Sequence, residues 1–351
     1  MLRSQIAKLS HRDVRQRRRA IRSLFELDDS AALAAFIPLL KDKDPWFRSK
    51  AMQAIRRWYP GDAPESADEL AKSGDVGFRR IAAEVLPRRR DSAKAEECLI
   101  RLTMDADDSV RLQAWTSRFR IDSELPMTTV ELALKDDSAA IRNLALSSIS
   151  GRDGAIEYAI NALSDVNPRV SGEAVDLVLQ SSGWTDEVAM KMKALAVDGL
   201  SDKLRAKAIR AILNRPDVDV ANLNISTWLS PPRPIIISAI VEGLKESDWA
   251  IHESLVDSLK RIDSPALLAR LLKNKRDEAA DRIRASLLLD TEIDIVVRMK
   301  LLEDLIGRNL VGIGETTSAV RSLRTNDEGP LSSLATRVLT DPMAGLDGEE
   351  E

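Results

Sequence analysis

A chain of 351 residues is longer than one hydrophobic core supports, so two domains or an elongated repeat array are expected. Its 44% apolar and 31% charged residues exclude wholesale disorder, and 13 aromatics with 29 Gly plus Pro are too few for an all-β sandwich. The formal net charge is only −4, and two histidines and one cysteine leave little for a metalloenzyme or a triad hydrolase to use.

The first twenty residues lack the apolar stretch of a secretory signal and instead carry His11, Arg12, Arg15, Arg17, Arg18 and Arg19. The longest apolar run, Ala31 to Leu40, is ten residues, against the roughly 20 of a membrane span. A cytoplasmic protein without membrane association is expected. Residues 10–27 are predicted as the first helix, a divergent cap lacking the alanine found in the helices that follow. On it Arg12, Arg15, Arg19 and Arg22 fall within about 80° of arc, opposite Val14 and Ile21, as a compact basic stripe.

From residue 44 a pattern recurs: a capping residue, an apolar residue three later, then Arg, then Ala four after the apolar position. It reads Asp44, Phe47, Arg48, Ala51; Asp75, Phe78, Arg79, Ala82; Asp107, Val110, Arg111, Ala114; and Ser138, Ile141, Arg142, Ala145. Weaker copies are Asn167, Val170, Ser171, Ala174; Ser201, Leu204, Arg205, Ala208; and Pro232, Ile235, Ile236, Ala239. The apolar positions are spaced 31, 32, 31, 29, 34 and 31 apart, a repeat of nearly constant period. Each part has a physical reason. Asp, Ser or Asn accepts from the free N–H groups of a starting helix. The apolar residue and the alanine share one helical face, and the small alanine lets a neighbouring helix close in. The arginine is expected to reach the capping Asp of an adjacent repeat, building a ladder of charge pairs.

Between these helices lie shorter apolar segments, for example Ala31 to Leu40, Ala93 to Thr103, Thr128 to Leu134 and Ala155 to Leu163; the lone Cys98 falls in one and reads as a packed thiol of a reducing compartment. Two antiparallel helices per period, each with one apolar face, bury it only by stacking. The expected fold is therefore all-α, a right-handed α-solenoid of stacked antiparallel helix pairs. DPWFRSKA (44–51), DVGFRRIA (75–82) and DDSVRLQA (107–114) resemble the second helix of the HEAT repeat family, and the resemblance spans about residues 10–245. It implies a scaffold or adaptor fold and says little about the partner.

The regular array is expected over 1–217. An irregular insertion at 218–233, with Pro231 and Pro232, shifts the phase, so that Asp248, Ile251, His252 and Leu255 come half a period early. Divergent helical repeats over 234–340 are predicted as 234–245, 264–274 with 277–290, 292–309, and 315–325 with 329–340. Residues 341–351 end in three glutamates and read as a disordered acidic tail.

Charge is segregated. Residues 1–90 hold 20 Lys plus Arg against 12 Asp plus Glu. Arg12, Arg15, Arg19, Arg22, Trp46, Arg56, Arg57, Arg80, Arg88, Arg89 and Arg90 are the candidate partner-binding residues, a basic path over three repeats suited to an acidic protein, a peptide or nucleic acid. The plainer reading is helix capping and solvation, since arginine at a helix end meets the negative pole of the dipole. HEAT-like alkylpurine DNA glycosylases share this fold, but the acidic remainder of the chain opposes a phosphate backbone. The di-iron site of deoxyhypusine hydroxylase needs several His–Glu pairs where this chain has only His252–Glu253. A phycobilin lyase chemistry has no readable motif. Gly312 to Thr317 resembles half a phosphate loop without its Lys, and Thr316 or Thr317 suffices there as an N-cap. No catalytic residue, cofactor or metal is expected, and the sequence points to a non-enzymatic binding protein.

Overall fold

The computed structural model describes residues 1–181, 183–215, 223–231, 233–246, 265–273, 275–326 and 329–340. Pro232, the half-period series from Asp248 to Leu255, the His252–Glu253 pair and the acidic tail lie outside these residues. The described chain is all-α, with no strand, and falls into two compact units, 1–155 and 156–351.

The first unit stacks five helix pairs. Their second members are α2 (Val14–Leu27), α4 (Pro45–Trp58), α6 (Val76–Val85), α8 (Asp108–Ile121) and α10 (Ala139–Ser148). The first members are α1 (Leu2–Ala7), α3 (Leu33–Phe36), α5 (Ser66–Ala71), α7 (Ser92–Leu102) and α9 (Met127–Leu134). Each pairs with the helix that follows it, and α4, α6, α8 and α10 pack one upon the next. The segment Ala31 to Leu40 is broken up: Pro38 has no N–H to give, and 3-10 turns flank the four residues of α3.

The second unit contains α11 (Ala155–Ala162), α12 (Pro168–Gln180), α13 (Asp186–Asp198), α14 (Asp202–Leu213), α15 (Ile225–Trp228) and α16 (Pro234–Glu246). It continues with α17 (Pro265–Leu272), α18 (Glu278–Leu289), α19 (Ile295–Glu303), α20 (Gly314–Asn326) and α21 (Pro330–Thr340). α14 packs on α12, α13 and α16, and α18 on α20. The helix expected over 292–309 is shorter, because Asp294 caps it at one end and it stops at Glu303.

The repeat alanines are the most constant feature. Ala51, Ala82, Ala114, Ala145, Ala174, Ala208 and Ala239 are all fully buried. Ala20 is too, so α2 does carry the alanine: with Asp13 as cap and Arg17 four later it follows the pattern except at the apolar position, which holds Gln16. The helix begins at Val14, not residue 10, so Arg12 sits ahead of it and leaves the stripe. Phe78 is only half-buried, whereas Phe47, Val110 and Ile141 are fully buried. Phe25, Phe36 and Trp58 form an aromatic knot, with Phe25 and Trp58 stacked at 4.9 Å.

The ladder exists, but its acceptor is not the cap. Arg79 donates from Nε and Nη2 to Asp105 at 2.7 and 2.9 Å, and Arg111 likewise to Asp136, both at 2.9 Å. Arg17 reaches Asp42 across the first joint with Nη2 alone, its Nε donating to the Leu9 carbonyl at 2.9 Å. Each acceptor lies two residues before a cap, where its carboxylate also accepts the cap's own N–H, as in Asp107 N to Asp105 at 2.9 Å and Ser138 N to Asp136 at 2.8 Å. The other end of each fork bonds the carbonyls of the repeat's own loop: Arg48 to Asp42 and Lys43, Arg79 to Ser73 and Gly74, Arg111 to Asp105 and Ala106, Arg142 to Asp136 and Asp137. A shared arginine thus ties two loops to one helix. Ser138 makes no side-chain cap bond, and Asp136 alone orders that turn by accepting its N–H.

Candidate interaction surface

The α2 helix places charge where the array needs none for packing. Ala20, Ile21 and Leu24 face the core, and Arg15, Arg18, Arg19 and Arg22 emerge on the other side, all exposed. Arg12 is exposed just before the helix. Arg12, Arg15, Arg19 and Arg22 have no side-chain hydrogen bond or ion pair among the described residues. Arg18 meets Asp44 at 3.1 Å and lies 5.1 Å from the Trp46 ring. Trp46 itself is half-buried, packed edge-on against Phe47, with Lys50 5.8 Å from its ring. These cations over an indole are a modest attraction of the cation–π kind.

The remaining candidates separate. Arg56 pairs with Glu84 at 2.8 Å and Arg57 with Asp28 at 2.7 Å. Arg88 donates to the carbonyl of Arg56, capping the end of α4. Arg89 is 8% exposed and holds Asp68 at 2.7 Å and Glu65 at 3.1 Å, so it works inside the fold. Arg80 and Arg90 are exposed and unpaired among the described residues. Positions equivalent to Arg18 and Arg22 carry Ser49 and Gln53 on α4, and Arg80 and Glu84 on α6. The cations are therefore concentrated on α2 and interrupted at α4, in place of the continuous path expected from sequence.

Asp28 is a participant that sequence reasoning passed over. It ends α2 with φ of 49° and receives both Arg57 and the Trp58 indole N–H, at 2.7 Å. Those two donors hold its carboxyl below the ordinary range. The signal was available in an Asp-Asp pair just past the last apolar residue of the helix, where a short polar side chain tolerates left-handed backbone.

The half phosphate loop is filled from within. Asp281, on α18, accepts the N–H groups of Glu315 and Thr316 at 2.9 and 2.8 Å, and Thr316 Oγ1 donates to its carbonyl. A carboxylate from the neighbouring helix already occupies the start of α20, where a phosphate would have to lie. Arg284, also buried, bonds the carbonyls of Leu272 and Lys275. Among the described residues no group of three metal-ligating side chains occurs, and no helix is long and apolar enough to cross a membrane.

An all-α stack of capped helix pairs bearing a cationic helix face is the anatomy of a helical-repeat protein. Residues 2–76 match the family model for HEAT repeats. Among solved structures, an engineered protein aligns over 97% of this chain and 98% of its own, at 16% identity and a TM-score of 0.36. YibA of Escherichia coli aligns over 74% of this chain and 94% of its own, at 16% identity and a TM-score of 0.45. No curated protein sequence matches the chain.

Proposed function

We propose that the protein is a non-enzymatic, cytoplasmic scaffold that docks an acidic protein or peptide on the arginine face of α2. One observation carries this reading: Arg12, Arg15, Arg19 and Arg22 are exposed and unpaired among the described residues, while Arg17, Arg18, Arg56, Arg57, Arg79 and Arg89 nearby are all tied to carboxylates. A repeat stack offers extended surface without catalytic machinery. Complementary charge there mainly raises the rate of encounter. The test is the triple reversal Arg15→Glu, Arg19→Glu, Arg22→Glu, followed by circular dichroism and by capture of partners from native lysate with and without nuclease. Unchanged helicity with loss of a nuclease-resistant protein partner is the expected result. Unchanged capture refutes the docking face. A partner lost on nuclease treatment, with log affinity falling steeply against log salt, would replace it by nucleic-acid binding.

A further inference from the structure

The ladder of the first unit has one rung missing. Arginines four residues after a cap reach acceptors 25 or 26 residues further on: Arg17 to Asp42, Arg79 to Asp105, Arg111 to Asp136. The same step from Arg48 arrives at Ser73, which stands two residues before the cap Asp75 as those aspartates stand before theirs. Ser73 performs half of their work, since its Oγ accepts the N–H of Asp75 at 3.1 Å. It has no carboxylate for the other half. Arg48 spends Nη1 on the carbonyls of Asp42 and Lys43, at 2.8 and 2.9 Å. Its Nε and Nη2, the pair that grips Asp105 in Arg79 and Asp136 in Arg111, bond nothing among the described residues. A forked donor is thus left open at the one joint where the facing residue is a hydroxyl.

We propose that Ser73 is a phosphorylation site whose phosphate occupies the open fork of Arg48 and completes the ladder between α4 and α6. Arginine presents two parallel donors that match phosphate as they match carboxylate. Phosphoserine adds a charge of about −1.5 to −2 and reaches one bond further than aspartate. The setting admits the chemistry. Ser73 is partly exposed in the loop Lys72–Asp75, between an exposed Lys72 and Gly74, beside which there is open space. Lys72 and Arg79 flank it with positive charge, and Arg79 already donates to its carbonyl at 3.0 Å. Asp75 is the one adjacent carboxylate, in the position that Asp107 holds beside the working acceptor Asp105. In the reaction a protein serine kinase removes the Ser73 hydroxyl proton. The oxygen attacks the γ-phosphorus of a nucleoside triphosphate, the bridging P–O bond breaks, and nucleoside diphosphate leaves. The consequence is a stiffer joint between α4 and α6.

Phosphoserine installed at residue 73 of the full chain by genetic code expansion provides the test. The thermal midpoint is expected to rise by about 2–4 °C. Arg48→Lys, which keeps the charge and loses the fork, is expected to remove more than half of that rise. Independently of any arginine variant, the phosphorus resonance of the folded protein is expected to titrate below the roughly pH 6 of ordinary phosphoserine. An unshifted titration with an unchanged midpoint overturns the docking. Mass spectrometry of the tryptic peptide Ser73–Arg79, from protein isolated from its native cells, then addresses the modification. A phosphorylated form is expected, and a peptide found only unmodified overturns it.

Discussion

At the scale of single residues, the ladder aspartates do more than the caps they precede. The Asp105 carboxylate takes two bonds from Arg79 and one from the Asp107 N–H. The Arg79 guanidinium, with help from that N–H and against the upward push of burial, keeps its carboxyl below the usual range. Asp105→Asn preserves shape but removes the charge and one acceptor from a largely buried pair, so a loss of about 1–3 kcal/mol is expected in urea unfolding. The pH dependence has a definite sign. A carboxylate with a lowered folded value contributes its full stability above about pH 4, the unfolded value, and loses it as pH falls through the lower folded one. The gap between wild type and Asp105→Asn should be flat from pH 5 to 8 and shrink steadily below about pH 4; a gap that persists undiminished at pH 2 refutes the ionic account. The sequence displayed the arginine but not its acceptor. Aspartate in a loop is too common to single out, and Asp42, Asp105 and Asp136 become a class only when the fork of the arginine is seen. His11 shows the same point, filling that position before Asp13 by accepting its N–H on Nδ1 at 3.0 Å.

At the scale of elements, the legible part was what is periodic along one helix. Cap, apolar residue and alanine follow from 3.6 residues per turn, and the structure buries the whole alanine column. That column predicts overpacking: Ala114→Leu adds three carbons at a fully buried position of α8, at a cost of about 1–3 kcal/mol, whereas Thr116→Leu on the exposed side of the same helix should fall within about 0.5 kcal/mol. Chemical unfolding of both variants compares buried with exposed positions directly. What the sequence hid is capping in trans. Thr316 looked like the local cap of α20, yet its N–H and that of Glu315 are satisfied by Asp281, 35 and 34 residues away. Asp281→Ala should therefore cost about 1–3 kcal/mol, more than an exposed cap, because it orphans two N–H groups and the Thr316 one is buried. Amide exchange at Glu315 and Thr316 should accelerate in that variant while α14 stays protected. Equal protection in variant and wild type would show that another group caps α20.

At the scale of the whole molecule, the small net charge conceals opposite halves. Residues 1–155 carry 28 Lys plus Arg against 24 Asp plus Glu, and 156–351 carry 24 against 32. The sequence made that asymmetry plain, but it overstated the reach of the basic surface, because ion pairing consumes Arg56, Arg57 and Arg89 and only side-chain geometry reveals it. Among the described residues the candidate arginines left unpaired are Arg15, Arg19 and Arg22 on α2, Arg12 just ahead of it, and Arg80 and Arg90. At about 0.1 M salt a charge is felt over about 10 Å, so an approaching surface meets the α2 arginines and not the molecular total. A chain with a pI near 5.6 should pass through a cation exchanger at pH 7 if net charge governs its contacts. Local charge predicts the reverse, retention at about 50 mM salt and elution as screening shortens. The triple reversal at Arg15, Arg19 and Arg22 should abolish that retention. Reversal of Lys193, Lys203 and Lys300, exposed lysines of the second unit, changes the net charge equally and should leave retention intact. If both triple variants flow through alike, net charge is in control and α2 has no special standing as a docking face.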